Sequence, residues 1–122
     1  MSKPRSKLFD YKNTKFREVR GFTTAIHFGR QAKHLPDQPN YDPTKSTITL
    51  SIKTLQNLVE HHAGTGEFIP GTQKENVDFG IIIGIFLKQG KTNGVPTTRG
   101  TIHYSKQGAH VVPAQPILRK GK

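Results

Sequence analysis

The hydrophobic period changes once along this chain, and the change argues against both an all-α and an all-β domain. Leu55, Leu58, Val59 and His62 recur at helical spacing behind Ser51, a suitable N-cap, and Gly64 supplies a stop. From Val77 onward the pattern is that of strands. Val77 to Leu87 is rich in Ile and Phe, with Gly80 and Gly84 expected at bulges or close approaches. Asn93-Gly94 and Pro96 predict a turn. Thr97 to Ser105 then alternates, with Ile102 and Tyr104 on one face and Thr101, His103 and Ser105 on the other. Lys106-Gln107-Gly108 predicts a three-residue hairpin loop, and Ala109 to Val112 the returning strand, closed by Pro113. The fold class expected is α+β, with N-terminal helical segments packed on a C-terminal antiparallel sheet. Two stretches are less regular. Pro36, Pro39 and Pro43 hold Leu35 to Thr44 as a loop. Tyr11 to Lys33 fits either a helical face of Phe22, Ile26, Arg30 and Lys33 or a short strand through Ile26 and Phe28.

At 122 residues the chain fits one small domain. Its charge narrows the partners. The formal net charge is +11, with nine Lys/Arg against two acids over residues 1–33 and seven against none over 85–122. Between them, residues 34–84 carry three Lys/Arg and six acids. If the ends meet in the fold they form one basic face able to track a phosphate backbone. The alternative is a solvated tail at each terminus. Ser2 to Lys7 and Leu118 to Lys122 are read as tails, whereas Arg30, Lys33, Lys88, Arg99 and Lys106 are read as part of a face. The absence of cysteine excludes a disulfide scaffold, a Cys-type zinc site and a thiol nucleophile. No run approaches the ~20 apolar residues of a membrane span, and no apolar stretch after Met1 suggests a secretory signal.

Six histidines are the most informative polar residues. His103 stands on the polar face of its strand, with His110 just across the expected hairpin and Arg99, Thr101, Ser105 and Lys106 nearby. A solvent-facing strand would also be polar, and spacing alone leaves that as the simpler description. His34 ends a basic segment and would serve equally as a helix-dipole partner. His61-His62 reads as capping or packing, without a metal site.

The eight carboxylates form no close pair of the kind a metal-dependent nuclease needs. RNA permits another route, because its 2′-hydroxyl attacks the adjacent phosphate if a base, an acid and cations are supplied. His34, His103, His110, Lys106 and Arg99 are an adequate set, and no metal or other cofactor is needed. No aromatic run of the kind that reads single strands on a sheet is present, and Gly64-Thr65-Gly66 lacks the Lys of a phosphate loop.

Several short motifs carry a family resemblance. Gln31-Ala32-Lys33-His34-Leu35-Pro36 with Asn40-Tyr41 resembles the KHIPG…NY motif of bacterial polymorphic toxin type 50 domains. Ala63-Gly64-Thr65-Gly66, Asp78-Phe79-Gly80, Pro96-Thr97-Thr98, Ile102 to Lys106 and Gly108 to Ala114 resemble its remaining signatures, in the family's order. The likeness spans about residues 26 to 116; Leu35 replaces the usual Ile, and Asp37 stands where Gly is common. It implies a ribonuclease effector of the barnase/EndoU/RelE-like group, released into a target cell's cytoplasm from a larger secreted protein and neutralised by an acidic immunity protein. On that basis residues 1–25 are a basic extension or linker, 26–116 the catalytic domain and 117–122 a basic tail. His34, His103, Tyr104, Lys106 and His110 are the expected catalytic residues, and Arg30, Lys33, Thr98, Arg99 and Ser105 the expected substrate contacts. A non-enzymatic nucleic-acid-binding module and a DNase toxin are the rival readings.

Overall fold

The computed structural model describes residues 16–88 and 93–116. The tails expected at Ser2 to Lys7 and Leu118 to Lys122 lie outside the described residues. The chain runs β1 (Glu18–Val19), β2 (Phe22–Thr23), α1 (Phe28–Gln31), β3 (Thr47–Ile48), α2 (Ile52–His62), β4 (Glu67–Phe68), β5 (Lys74–Asp78), β6 (Gly84–Phe86), β7 (Val95–Thr97), β8 (Arg99–Ser105) and β9 (Gly108–Pro113). A 3-10 turn, Ala32–His34, extends α1. The class is α+β. The strands form antiparallel sheets in the orders β4-β5-β8-β9, β3-β6-β7 and β1-β2. Among the described residues, no helix is long and apolar enough to cross a membrane.

Helix α2 follows its sequence signals. Ser51 Oγ accepts the Thr54 amide, and Leu55 and Val59 sit fully buried in the core with Ile26, Ile48, Val77, Ile83, Ile102 and Val111. Gly64 adopts φ +91° just beyond the helix. Arg17 then closes the exposed end. Its backbone amide donates to Glu60 Oε2 at 3.0 Å and its guanidinium to the Glu60 carbonyl at 2.8 Å and the Ala63 carbonyl at 3.1 Å. A cation on the last carbonyls of a helix satisfies orphan acceptors and the dipole together. Residues 16–25, grouped by sequence with the basic extension, are thus bound to α2 from Arg17 on.

The ambiguous stretch before Lys33 is neither one long helix nor one strand. Ile26 forms a parallel bridge to Ala109, and the chain then turns into α1 with His27 as N-cap. Two buried glutamines explain the arrangement. Gln56 accepts the Ile26 amide at 2.7 Å and donates to the Thr24 carbonyl at 2.9 Å. Gln31 accepts the Val111 amide at 2.7 Å and donates to the Val111 carbonyl at 2.8 Å. Each primary amide supplies the donor and acceptor of a missing strand, so backbone groups at the sheet edge stay paired.

Two strand expectations are corrected. Val77 to Leu87 is not continuous: Gly80, at φ +81°, turns the chain out of the four-stranded sheet, and Gly84 starts β6 in the other. A Cβ on Gly84 would stand 2.1 Å from the Thr47 carbonyl oxygen, so the β3–β6 approach requires glycine. The β8–β9 loop has two residues, not three, because Ser105 pairs with Gly108. That register puts His103 opposite His110; one more loop residue would have set His110 against Tyr104.

Candidate active site

The polar face of β8 and β9 carries the histidines. His103 and His110 are direct cross-strand partners, and their rings stack at 4.6 Å between centroids with 26° between planes. The third ring comes from a distant part of the chain. The Gln31–Val111 hydrogen bonds and the His27 amide on the Ala109 carbonyl, at 2.7 Å, dock α1 along β9. The 3-10 turn that follows brings His34 over His110, with centroids 6.4 Å apart and planes 16° from parallel. His34, His110 and His103 therefore stand in a row.

His34 is almost fully buried, at 4% exposure, and its Nδ1 lies 2.8 Å from the Ser46 carbonyl oxygen. A carbonyl accepts only, so Nδ1 carries the proton and the neutral ring keeps its lone pair on Nε2. All three imidazoles are held below the usual histidine range. Burial is the main cause for each. For His34 the Ser46 hydrogen bond opposes it, while Lys33 and Lys45 add to it. His103 is lowered to about 4, with Lys74 as the next cause, and His110 to about 3, with His103 as the next. The row is therefore neutral at pH 7 and sits among cations.

A cleft opens on either side of the His103–His110 pair. The larger, about 520 Å3, is lined by Lys33, His34, Thr44, Lys45, Ser46, Phe86 and Leu87 besides the two histidines. The smaller, about 280 Å3, is lined by Arg30, Thr72, Gln73, Lys74 and Tyr104 with the same pair. Two lysines serve the larger cleft, and an arginine and a lysine the smaller. No carboxylate lines either cleft among the described residues. An anion bridging the row would meet positive charge on both sides.

The structure thus brings together His34, His103, His110, Lys33 and Arg30 of the residues singled out by sequence. Ser105 stands at the edge: its hydroxyl donates to the Gly108 carbonyl at 2.8 Å and accepts from Arg30 Nη1 at 3.3 Å. Lys106 is exposed at the hairpin tip, and neither it nor Arg99 nor Thr98 lines either of these two clefts. Arg99 begins β8, and its guanidinium donates to the Gln115 carbonyl at 3.3 Å. Thr98 offers its carbonyl to the Phe79 amide.

Tyr104 lies on the other face. It contributes to the smaller cleft's wall, yet its ring stacks on Phe68 and its hydroxyl donates to Glu75 Oε1 at 2.6 Å. Burial, reinforced by Glu75, pushes the phenol far above its ordinary value. Glu75 is itself fully buried and also accepts the Gly64 amide at 2.9 Å and the Gly66 amide at 2.7 Å. A Cβ at Gly66 would lie 1.9 Å from the Asn76 carbonyl oxygen. The Gly64-Thr65-Gly66 motif and Tyr104 are therefore two sides of one buried carboxylate clasp.

Residues 26–113 match the family model described as Bacterial toxin 50. The chain belongs to the Bacterial toxin 50 family. No curated protein matches the chain. The matched segment of this toxin domain includes the whole histidine row and both cleft walls; the β1–β2 hairpin precedes it. Sequence reasoning missed Lys45, Ser46, Lys74 and Phe86. None stands in a local pattern that marks it, since the pair Lys45-Ser46, Lys74 and Phe86 reach the site from three separate segments.

Proposed function

We propose that this toxin domain is a metal-independent endoribonuclease that cleaves RNA by attack of its own 2′-hydroxyl. The observation that carries the reading is the row His34, His110, His103 between two cation-lined clefts. Such a row holds a proton acceptor, a proton donor and charge compensation within reach of one phosphodiester.

His34 is the base in this reading, because Ser46 fixes Nδ1 as the protonated nitrogen and leaves Nε2 free. His34 takes the 2′-hydroxyl proton, O2′ bonds to phosphorus, and the P–O5′ bond breaks. His103 delivers a proton to the departing O5′. The products are a 2′,3′-cyclic phosphate and a 5′-hydroxyl. His110, between the two rings, braces both and bonds the phosphate. Lys33, Lys45, Arg30 and Lys74 stabilise the crowded phosphorane, a part that residue chemistry alone assigned to Lys106 and Arg99. His103 needs its proton before the reaction, and a bound phosphate supplies the negative charge that raises its pKa again.

The barnase/EndoU/RelE-like arrangement and the RNA substrate, with tRNA as one candidate, belong to this reading. So does the role of C-terminal effector in a larger delivered protein, acting in the target-cell cytoplasm. An acidic immunity protein that covers the basic clefts would neutralise it. The test is incubation of the purified domain with bacterial RNA in EDTA, followed by mapping of the ends. Cyclic phosphates paired with 5′-hydroxyls are expected, and His34→Ala or His103→Ala should cost at least about 100-fold in rate. Cleavage only with added divalent metal, or 5′-phosphate products, would overturn the reading.

A further inference from the structure

Phe86 is an aromatic side chain in an unexpected place. It ends β6, half-buried, and lines the larger cleft, but it does not pack against the hydrophobic core. It has no aromatic partner among the described residues. Leu87, Val112 and Pro113 continue the apolar wall beside it. Across a cleft that also holds two lysines, the ring offers a flat apolar surface on which a ligand ring can stack.

The polar side of the cleft is also incomplete. Ser46 is buried to 6% exposure; its Oγ accepts the Leu87 amide at 2.8 Å and its carbonyl holds His34. The Ser46 hydroxyl proton has no acceptor among the described residues, and Thr44 lines the same wall. A flat heteroaromatic ring with edge acceptors matches this combination of aromatic platform, apolar flank and free donor.

We propose that the larger cleft is a nucleobase subsite, in which Phe86 stacks on the base of an unpaired nucleotide adjoining the phosphate at the histidine row. The proposal rests on the reading of that row as a phosphodiester site. The smaller cleft has the opposite character. Arg30, Lys74, Thr72 and Gln73 line it with charged and hydrogen-bonding groups that suit a ribose-phosphate. The substrate is single-stranded at the cut, because a paired base has both faces stacked and its edge turned into the helix.

The two clefts therefore differ in what they select. The smaller binds any backbone and the larger tests for a base. Phe86 is placed to serve this well, since β6 is held between β3 and β7 and the ring platform is fixed by two ladders.

The experiment measures binding by fluorescence anisotropy, using labelled single-stranded 2′-O-methyl RNA of mixed sequence, its duplex, and an abasic ribose-phosphate chain of equal length. Cleavage of the unmodified strand is followed alongside. The wild-type domain should bind the single strand about ten- to 100-fold more tightly than the abasic chain. Phe86→Ala should remove that difference, Phe86→Leu should remove most of it while keeping the apolar bulk, and Phe86→Trp should keep it. Equal binding of the single strand and the abasic chain by the wild type, or a difference unchanged in Phe86→Leu, overturns the subsite. If RNA stays uncut while the Phe86-dependent difference persists, the cleavage reading fails and the subsite stands. If RNA is cut with no dependence on Phe86, the subsite alone fails.

Discussion

Replacing Tyr104 by Phe distinguishes a structural tyrosine from a catalytic one. The substitution deletes one oxygen, buried and donating to Glu75 Oε1 at 2.6 Å, and leaves the ring on Phe68. Glu75 keeps the Gly64 and Gly66 amides, so its carboxylate is weakened in its solvation and not orphaned. A hydrogen bond to a charged group contributes ~1.5–3 kcal/mol, so a loss of about 2 kcal/mol is expected. With a urea slope near ~2 kcal/mol/M, that moves the unfolding midpoint down by about 1 M. In a domain of this size it lowers Tm by roughly 8 °C. The rate of RNA cleavage below the transition should stay within about two-fold of wild type, since no step above uses the phenol. Pairing the change with Glu75→Gln should give a loss smaller than the sum of the two, because both remove the same contact. An unchanged midpoint with a rate ten-fold or more lower would refute the structural assignment and return Tyr104 to the catalytic set.

The remaining predictions concern charge. His103 and His110 titrate near 4 and 3 in the folded chain and near ~6.5 when unfolded, so the unfolded state takes up protons first as pH falls. Their contribution to stability is complete above about pH 6.5 and is lost from there down to about pH 3, each ring costing at most ~1.4 kcal/mol per pH unit, less where solvent screens it. Urea midpoints at pH 7.5 and 4.5 measure it; His110→Asn should flatten the difference, and an equal slope in that variant would contradict the assignment. Lys45→Ala should reduce kcat/KM by about ten-fold and the slope of log affinity against log salt by ~0.7. Arg99→Ala, which among the described residues removes a side-chain contact to the Gln115 carbonyl, should do neither; the reverse ranking would move the phosphate site to the far end of β8.

Helix α2 and the β8–β9 hairpin were legible in the sequence because both rest on local periodicity. Ser51 caps a stripe of Leu55 and Val59, and alternation alone separates His103 from Ile102 and Tyr104. Periodicity also indicated which face of β8 is polar, and loop chemistry located the hairpin. The register depended on a single residue. A two-residue loop sets His103 against His110, and backbone pairing at Ser105–Gly108 decided it.

What tertiary structure decided lies in long-range contacts that carry no local signature. Gln31 and Gln56 look like ordinary polar residues until their amides are seen completing the backbone pairing of Val111 and of Thr24 and Ile26. The first of these docks α1 and brings His34 onto His110, 76 residues away in the chain as numbered. Likewise Ser46 selects the His34 tautomer from the far end of the proline-rich loop. Tyr104 shares its strand and a motif with His103, yet an alternation of one places its hydroxyl in the core with Glu75. The sequence alone determined the mixed fold class, the helix, the polar strand face and the cationic character. Which histidines meet, which cations flank them and which aromatic ring faces the cleft were set by packing, because burial and hydrogen-bond satisfaction act between segments that are remote along the chain.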